Sequence, residues 1–143
     1  MVTGNENTER NRFVDAIGPV RTSGQVQDAL GVSAEELQRL IEERKVLPLE
    51  TADGVTVFPS FQFEQVTDGR HRVVPGFEDA LAPFDPTQVD SWTIAGAFRA
   101  RWKELDGQTL MVGLKGDKRE LALWVARDTA HRMNGKQTPP RTV

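Results

Sequence analysis

The sequence predicts a mainly α fold: a winged helix-turn-helix with a short β-hairpin wing, followed by a compact helical C-terminal module. Three observations carry that prediction. Two helical patterns flank a glycine turn at Gly31, and an Asp-Gly turn between two short β-prone runs follows directly. Apolar residues then recur at helical spacing through the last third of the chain.

Composition narrows the function classes. The 143 residues suffice for one domain, or two small modules sharing a core, without metal or disulfide staples. A hydrophobic fraction of 38% with 27% charged residues is that of a soluble globular protein. The absence of cysteine excludes disulfides, thiolate zinc sites and cysteine nucleophiles, and suits a reducing cytoplasm. No apolar run approaches the roughly 20 residues that span a bilayer, and Met1 to Asn11 lacks a signal-peptide core. The expected location is cytoplasmic.

Charge argues against a strongly basic binding surface. The net charge of −3 lacks the footprint of a dedicated nucleic-acid binder. Up to Arg70 there are seven Lys/Arg against twelve Asp/Glu, a local −5; beyond it, eleven against nine give +2. DNA binding by the first half then needs dimerisation or a partner, because attraction to phosphate is weak per monomer.

The elements follow in order. Met1 to Glu9 is polar and expected to fray. Arg10 to Ile17 suits a short helix with Phe13 and Ile17 on one face, stopped by Gly18-Pro19. Thr22 to Leu30 is the first helix of the pair, with N-cap candidates at its start, and Gly31-Val32-Ser33 interrupts it. Ser33 followed by Glu36 reads as a capping box that opens a second helix to about Arg44. Leu37, Leu40 and Ile41 line one stripe of it, the spacing a buried face requires. Val46 to Glu50 and Val55 to Phe58 are β-prone. Asp53-Gly54 between them suits the positive φ angles of a tight hairpin turn, and Pro59 ends the hairpin. The winged helix-turn-helix accordingly spans residues 10–63.

Phe61 and Phe63 alternate with polar residues, either as a strand or as an aromatic anchor on the wing. Residues 64–86 read as a linker with a short helical turn from Phe77 to Leu81. Residues 87–134 read as a helical partner-binding module. Its first helix, from Asp90 or Ser91 to about Leu105, places Ile94, Ala95, Phe98, Trp102 and Leu105 on an apolar face, and Asp106-Gly107 stops it. Gln108 to Leu114 is a short apolar helix or turn. The last helix, about Lys118 to Asn134, carries Leu121, Val125 and Met133 at helical spacing with Trp124 beside them. Gly135 is its expected C-cap, and residues 135–143 are expected to form a flexible tail.

A recognition helix reads base edges from its first turns, which makes Ala34, Glu35, Gln38 and Arg39 the outward candidates. Gln38 can pair bidentately with adenine and Arg39 with guanine, each worth about 1–3 kcal/mol of discrimination. Glu35 can accept from a cytosine amine but repels phosphate. Thr22, Ser23, Gln25 and Lys45 are candidates for contact with the DNA backbone through hydroxyl, amide, ammonium and helix N-terminus, and Ser33 completes the candidate DNA-binding set. The alternative is that these are ordinary solvated positions in a fold retained for protein contact, with Ser23 a simple N-cap.

Three tryptophans are the large anchors of the second half. Trp102 reads as core, whereas Trp92 and Trp124 lie at the edge of their apolar faces and are candidates for a partner interface. Arg99, Arg132, Lys136 and Arg141 complete that candidate partner-binding set. His71 and His131 lie far apart without cysteine company, so no metal site is expected. No Ser/His/Asp arrangement or phosphate-cradling loop appears, and neither catalysis, cofactor nor small-molecule substrate is expected.

Thr22 to Pro59, with its Ala29 to Ser33 turn and Phe58 to Phe63 exit, resembles the excisionase- and MerR-like helix-turn-helix of actinobacterial proteins. Leu105 to Thr109, Leu114, Gly116-Asp117 and the Ala122 to Ala130 helix are similar to the C-terminal toxin-binding domain of Xre/MbcA/ParS antitoxins. Those antitoxins pair with RES-domain toxins, and Val73 to Phe77 fits the link between their two modules. The chain departs from the pattern at Leu110, where the family usually has proline. The resemblance implies a homodimeric DNA-binding antitoxin that represses its own operon and neutralises an NAD-directed RES-domain toxin by direct binding. Two other functions stay open. One is a stand-alone transcriptional regulator; the other is an interaction adaptor that has lost DNA binding, in keeping with Glu35, Glu36, Glu42 and Glu43 on the second helix.

Overall fold

The computed structural model describes residues 17–136, which are mainly α, with six α-helices and two small antiparallel sheets. The expected helix from Arg10 to Ile17 lies outside the described residues except for Ile17, which is buried. No described helix is long and apolar enough to cross a membrane.

Strand β1 (Val20–Thr22) leads into α1 (Ser23–Leu30), and α2 (Ala34–Glu42) follows after a short turn. Each helix starts with a reciprocal capping box. The Thr22 hydroxyl accepts from the Gln25 N–H at 3.2 Å while Gln25 Oε1 accepts from the Thr22 N–H at 2.9 Å. Ser33 and Glu36 repeat the exchange at 3.1 and 2.8 Å. Both pairs satisfy N–H groups that a helix start otherwise leaves to water. Thr22, not Ser23, is therefore the cap of α1. Gly31 takes φ +70° and returns its N–H to Gln27 O at 2.8 Å, a left-handed stop that glycine adopts without steric cost. The second helix ends at Glu42, two residues short of the expected Arg44, which itself sits at φ +58°.

Strands β2 (Leu49–Glu50) and β3 (Thr56–Pro59) form the expected hairpin, with Leu49 opposite Val57. Its turn differs from expectation, because Gly54 alone adopts positive φ and Asp53 does not. The reason is closure by Thr51. Its carbonyl accepts from the Gly54 N–H, its N–H donates to Val55 O, and its hydroxyl accepts from the Val55 N–H. The first strand, unforeseen in the sequence, pairs with the other side of β3 to give the order β1-β3-β2.

Phe61 and Phe63 resolve into two roles. Phe63 opens β4 (Phe63–Gln65), which pairs with β5 (His71–Val73); Phe61 lies in the preceding 3-10 turn, Ser60–Gln62. They enter different cores. A smaller core gathers Val26, Leu37, Val46, Phe58 and Phe63. The larger one takes Phe61 against Phe77 and Phe98, with ring centroids 6.4 and 6.0 Å away.

Residues 64–86 are not a spacer. They supply β5, α3 (Phe77–Leu81) and the buried side chains of Val74, Phe77, Ala80, Leu81 and Phe84. Leu47, Leu49 and Val57 of the first hairpin enter the same large core as the C-terminal helices. The two halves are consequently packed together.

Helix α4 (Ser91–Arg99), capped by Asp90 accepting from the Thr93 N–H, stops well short of the expected Leu105. The chain turns extended at Ala100, and Trp102 pairs with Gln108 across a tight loop. The Trp102 indole N–H donates to Ala97 O at 3.1 Å, taking a carbonyl that a continued helix would have used. Leu105 is nevertheless buried and Trp102 half-buried, so the apolar spacing reported burial correctly and conformation wrongly.

Helix α5 (Leu110–Lys115) is capped by Thr109, and the buried Leu110 holds its first position, where proline is equally at home. Helix α6 (Arg119–Lys136) runs through Gly135 to the last described residue, so Gly135 is no C-cap and the tail does not begin there. Its inward residues are Ala122, Val125, Ala126, Thr129 and Ala130, with Met133 partly buried. Leu121, one turn before Val125, is 38% exposed at the edge of that face and stays out of the buried stripe. Small inward residues admit α5 closely: a Cβ on Gly113 would lie 2.9 Å from that of Ala122.

Candidate functional site

The outward side of α2 forms the first candidate surface. Leu37 is buried beneath it, while Glu35, Gln38, Arg39 and Glu42 are exposed. Gln38 Nε2 donates to Glu42 Oε2 at 3.3 Å, one turn along. Glu35 and Arg39 are held by no described side chain. The capping boxes commit the oxygens of Thr22, Gln25 and Ser33 to backbone N–H groups, which leaves them as helix starters first. Ser23 is half-buried in the first turn of α1.

Cations around this surface divide sharply. Lys45, expected at the wing's entrance, pairs with Glu43 at 3.4 Å. Arg44 is half-buried and donates to Leu81 O at 3.2 Å and Phe84 O at 2.7 Å, joining the end of α2 to the end of α3. Burial pushes its guanidinium pKa down, opposed by the charge of Asp85. From the other side, Asn134 of α6 donates to Pro83 O and accepts from the Asp85 N–H. The stretch 81–85 is thus clasped by both halves of the chain.

Arg21 carries no signal in the sequence that marks it as a site residue. It stands on β1 directly before the α1 cap, with Nε donating to Ser60 Oγ at 3.3 Å and its guanidinium carbon 5.7 Å from the Phe63 ring centroid. A three-residue strand shows too little alternation to be recognised, so no local signal placed Arg21 beside Phe63.

The expected partner-binding residues scatter. Trp92 is half-buried against the large core, and its indole N–H donates to Glu50 O at 3.0 Å. That bond ties α4 to the edge of the first hairpin and gives Trp92 a role within the fold. Trp124 is 48% exposed on α6, beside Leu121 on the same side of the helix. Val112 of α5 is 50% exposed at a cleft of about 240 Å³, whose lining includes Leu105, Gly113 and the Asp106–Lys118 ion pair. Arg132 is exposed and pairs with Asp128 at 2.9 Å. Arg99 is exposed, its guanidinium lying against Gly18. Lys136 ends α6, and Arg141 lies outside the described residues.

His71 is half-buried on β5, and its Nδ1 meets no partner among the described residues; His131 is exposed on α6. Among the described residues, no group of three or more His, Asp or Glu is placed to hold a metal ion. Compared with protein-family models, with curated proteins and with solved structures, the chain matches none.

Proposed function

We propose that this chain is a DNA-binding antitoxin: a winged helix-turn-helix that reads operator DNA through α2, joined to a helical half that binds and neutralises a RES-domain toxin. The observation that carries the DNA half is the arrangement of α2. Its start is fixed by the Ser33–Glu36 capping box, its inner side by buried Leu37, and its outer side is the exposed set Glu35, Gln38 and Arg39. The hairpin of β2 and β3 follows at once, as a wing does. For the partner half, support comes from Trp124 and Leu121, large apolar side chains left exposed on α6. Cytoplasmic action as a homodimer belongs to this reading, since two modules double the phosphate contacts available to an acidic chain.

A second reading, an adaptor without DNA binding, draws on the exposed Glu35, Glu36, Glu42 and Glu43 and on Lys45 being paired with Glu43. A mobility shift separates the two. Duplex fragments from upstream of the chain's own reading frame are tested at low salt, with and without the neighbouring gene product. The antitoxin reading expects retardation, with Arg39→Ala weakening binding by about 1–3 kcal/mol and relaxing preference at one base pair. It also expects the neighbouring product to co-purify. Absence of any shift under both conditions leaves the adaptor.

A further inference from the structure

The four cations among residues 17–63 are Arg21, Arg39, Arg44 and Lys45. Arg44 is spent on the carbonyls of Leu81 and Phe84, and Lys45 on Glu43. Among the described residues, Arg21 and Arg39 form no ion pair. They differ in how they are held. Arg39 projects from an exposed helix face. Arg21 rests over the ring of buried Phe63 and is bonded through Nε to Ser60, whose own N–H donates to Pro19 O at 2.9 Å.

Phe63 belongs to the small core and Ser60 to the half-buried turn just before it, so the Arg21 side chain loses its rotamer freedom on folding and not on binding. One of its five N–H donors goes to Ser60. The remaining four, on the two terminal nitrogens, find no acceptor among the described residues. A planar fork of this kind matches the paired oxygens of a phosphate.

We infer that Arg21 is the phosphate clamp of the N-terminal module, taking a backbone phosphate of duplex DNA. This rests on the DNA-binding reading above. It moves the phosphate contact away from Thr22 and Gln25, whose side chains are committed to capping. A phosphate contact positions the protein without reading sequence, and its signature is electrostatic.

The test is a salt titration of binding, by fluorescence anisotropy, on an upstream promoter duplex and a scrambled duplex of the same composition. Arg21→Met keeps an unbranched chain over Phe63 and removes the charge. Its affinity is expected to fall about tenfold on both duplexes, with the slope of log K against log salt shallower by about 0.9. Arg21→Lys should restore the slope but not the full affinity. Should Arg21→Met fail to fold, Ser60→Ala releases the guanidinium with its charge intact, and the expectation is weaker binding at unchanged slope. A wild-type slope in Arg21→Met, or wild-type affinity in Ser60→Ala, overturns the assignment while DNA binding itself stands. Failure of the wild-type chain to bind either duplex removes the DNA-binding reading, and the role of Arg21 with it.

Discussion

The side chain of Gln62 pairs with both backbone groups of Leu47. The Leu47 N–H donates to Gln62 Oε1 at 2.8 Å, and Gln62 Nε2 donates to Leu47 O at 3.0 Å and to Pro59 O at 3.1 Å. Gln62 is fully buried, and its amide substitutes for a strand partner where the chain passes from Val46 in the small core to Leu47 in the large one. Its own carbonyl accepts from the Val74 N–H, so one residue stitches three segments together.

Replacing it exposes the cost of orphaned buried groups. Gln62→Ala leaves the N–H and carbonyl of Leu47 without partners, at about 1–3 kcal/mol for each group, and adds a cavity. The expected result is a total loss above about 3 kcal/mol, read as a lower denaturation midpoint at unchanged m. A loss under about 1 kcal/mol would show that water or a backbone shift replaces the amide.

Arg44 combines a left-handed backbone with a structural side chain. Arg44→Ala should destabilise by roughly 2–4 kcal/mol through loss of charge-assisted bonds to Leu81 and Phe84. Arg44→Gly loses the same bonds but relieves the backbone, so it should be more stable than Arg44→Ala by about 1 kcal/mol. Equal stabilities would mean that the left-handed conformation costs nothing here.

Acid should weaken two loops, the one between α4 and α5 that holds Asp106 and the one between α3 and α4 that holds Asp85. The hydrogen bond and charge of Lys118 hold the Asp106 carboxyl below its usual pKa, and hydrogen bonds from Thr87 do the same for Asp85. A folded-state pKa below the unfolded one means that the stabilisation is complete above the unfolded value, about 3.9, and is lost as pH falls through the folded value. Asp106 occupies φ +58°, which asparagine tolerates, so Asp106→Asn should fold and show a shallower fall of Tm with pH in that acid range. Parallel curves for the two proteins would rule out the Asp106 contribution.

Trp124 should matter to binding and little to folding. Its side chain is half in solvent on α6, so Trp124→Ala is expected to change stability by under about 1 kcal/mol. If α6 is the toxin-binding face, the same change should cost about 2 kcal/mol or more in affinity for the co-purifying partner, with duplex binding intact. Isothermal titration on both ligands checks this, and unaltered partner affinity would clear Trp124 of the interface.

Much of the first half was legible in the sequence because its determinants act within a few residues. Ser33 and Glu36 are three apart, Gly31 stops α1 by its own φ, and the stripe of Leu37, Leu40 and Ile41 lies within two turns. The candidate reading face of α2 followed from that periodicity. What was illegible depended on partners distant in sequence. Leu47 and Gln62 are 15 residues apart, Arg44 and Phe84 40, Trp92 and Glu50 42, and Asn134 and Pro83 51.

By itself the sequence determined the capped helix pair, the Gly31 stop, the presence of the first hairpin and the burial of Phe98 and Leu105, because local hydrogen bonds and apolar spacing suffice for those. Only the tertiary structure decided that β1 completes the sheet, that α4 stops at Arg99, that Arg44 and Trp92 bond to carbonyls distant in the chain, and that Arg21 is held beside Phe63. The physical reason is competition for partners. A backbone carbonyl or a guanidinium takes whichever donor, acceptor or ring the packed chain brings within reach, and local spacing carries no record of that choice.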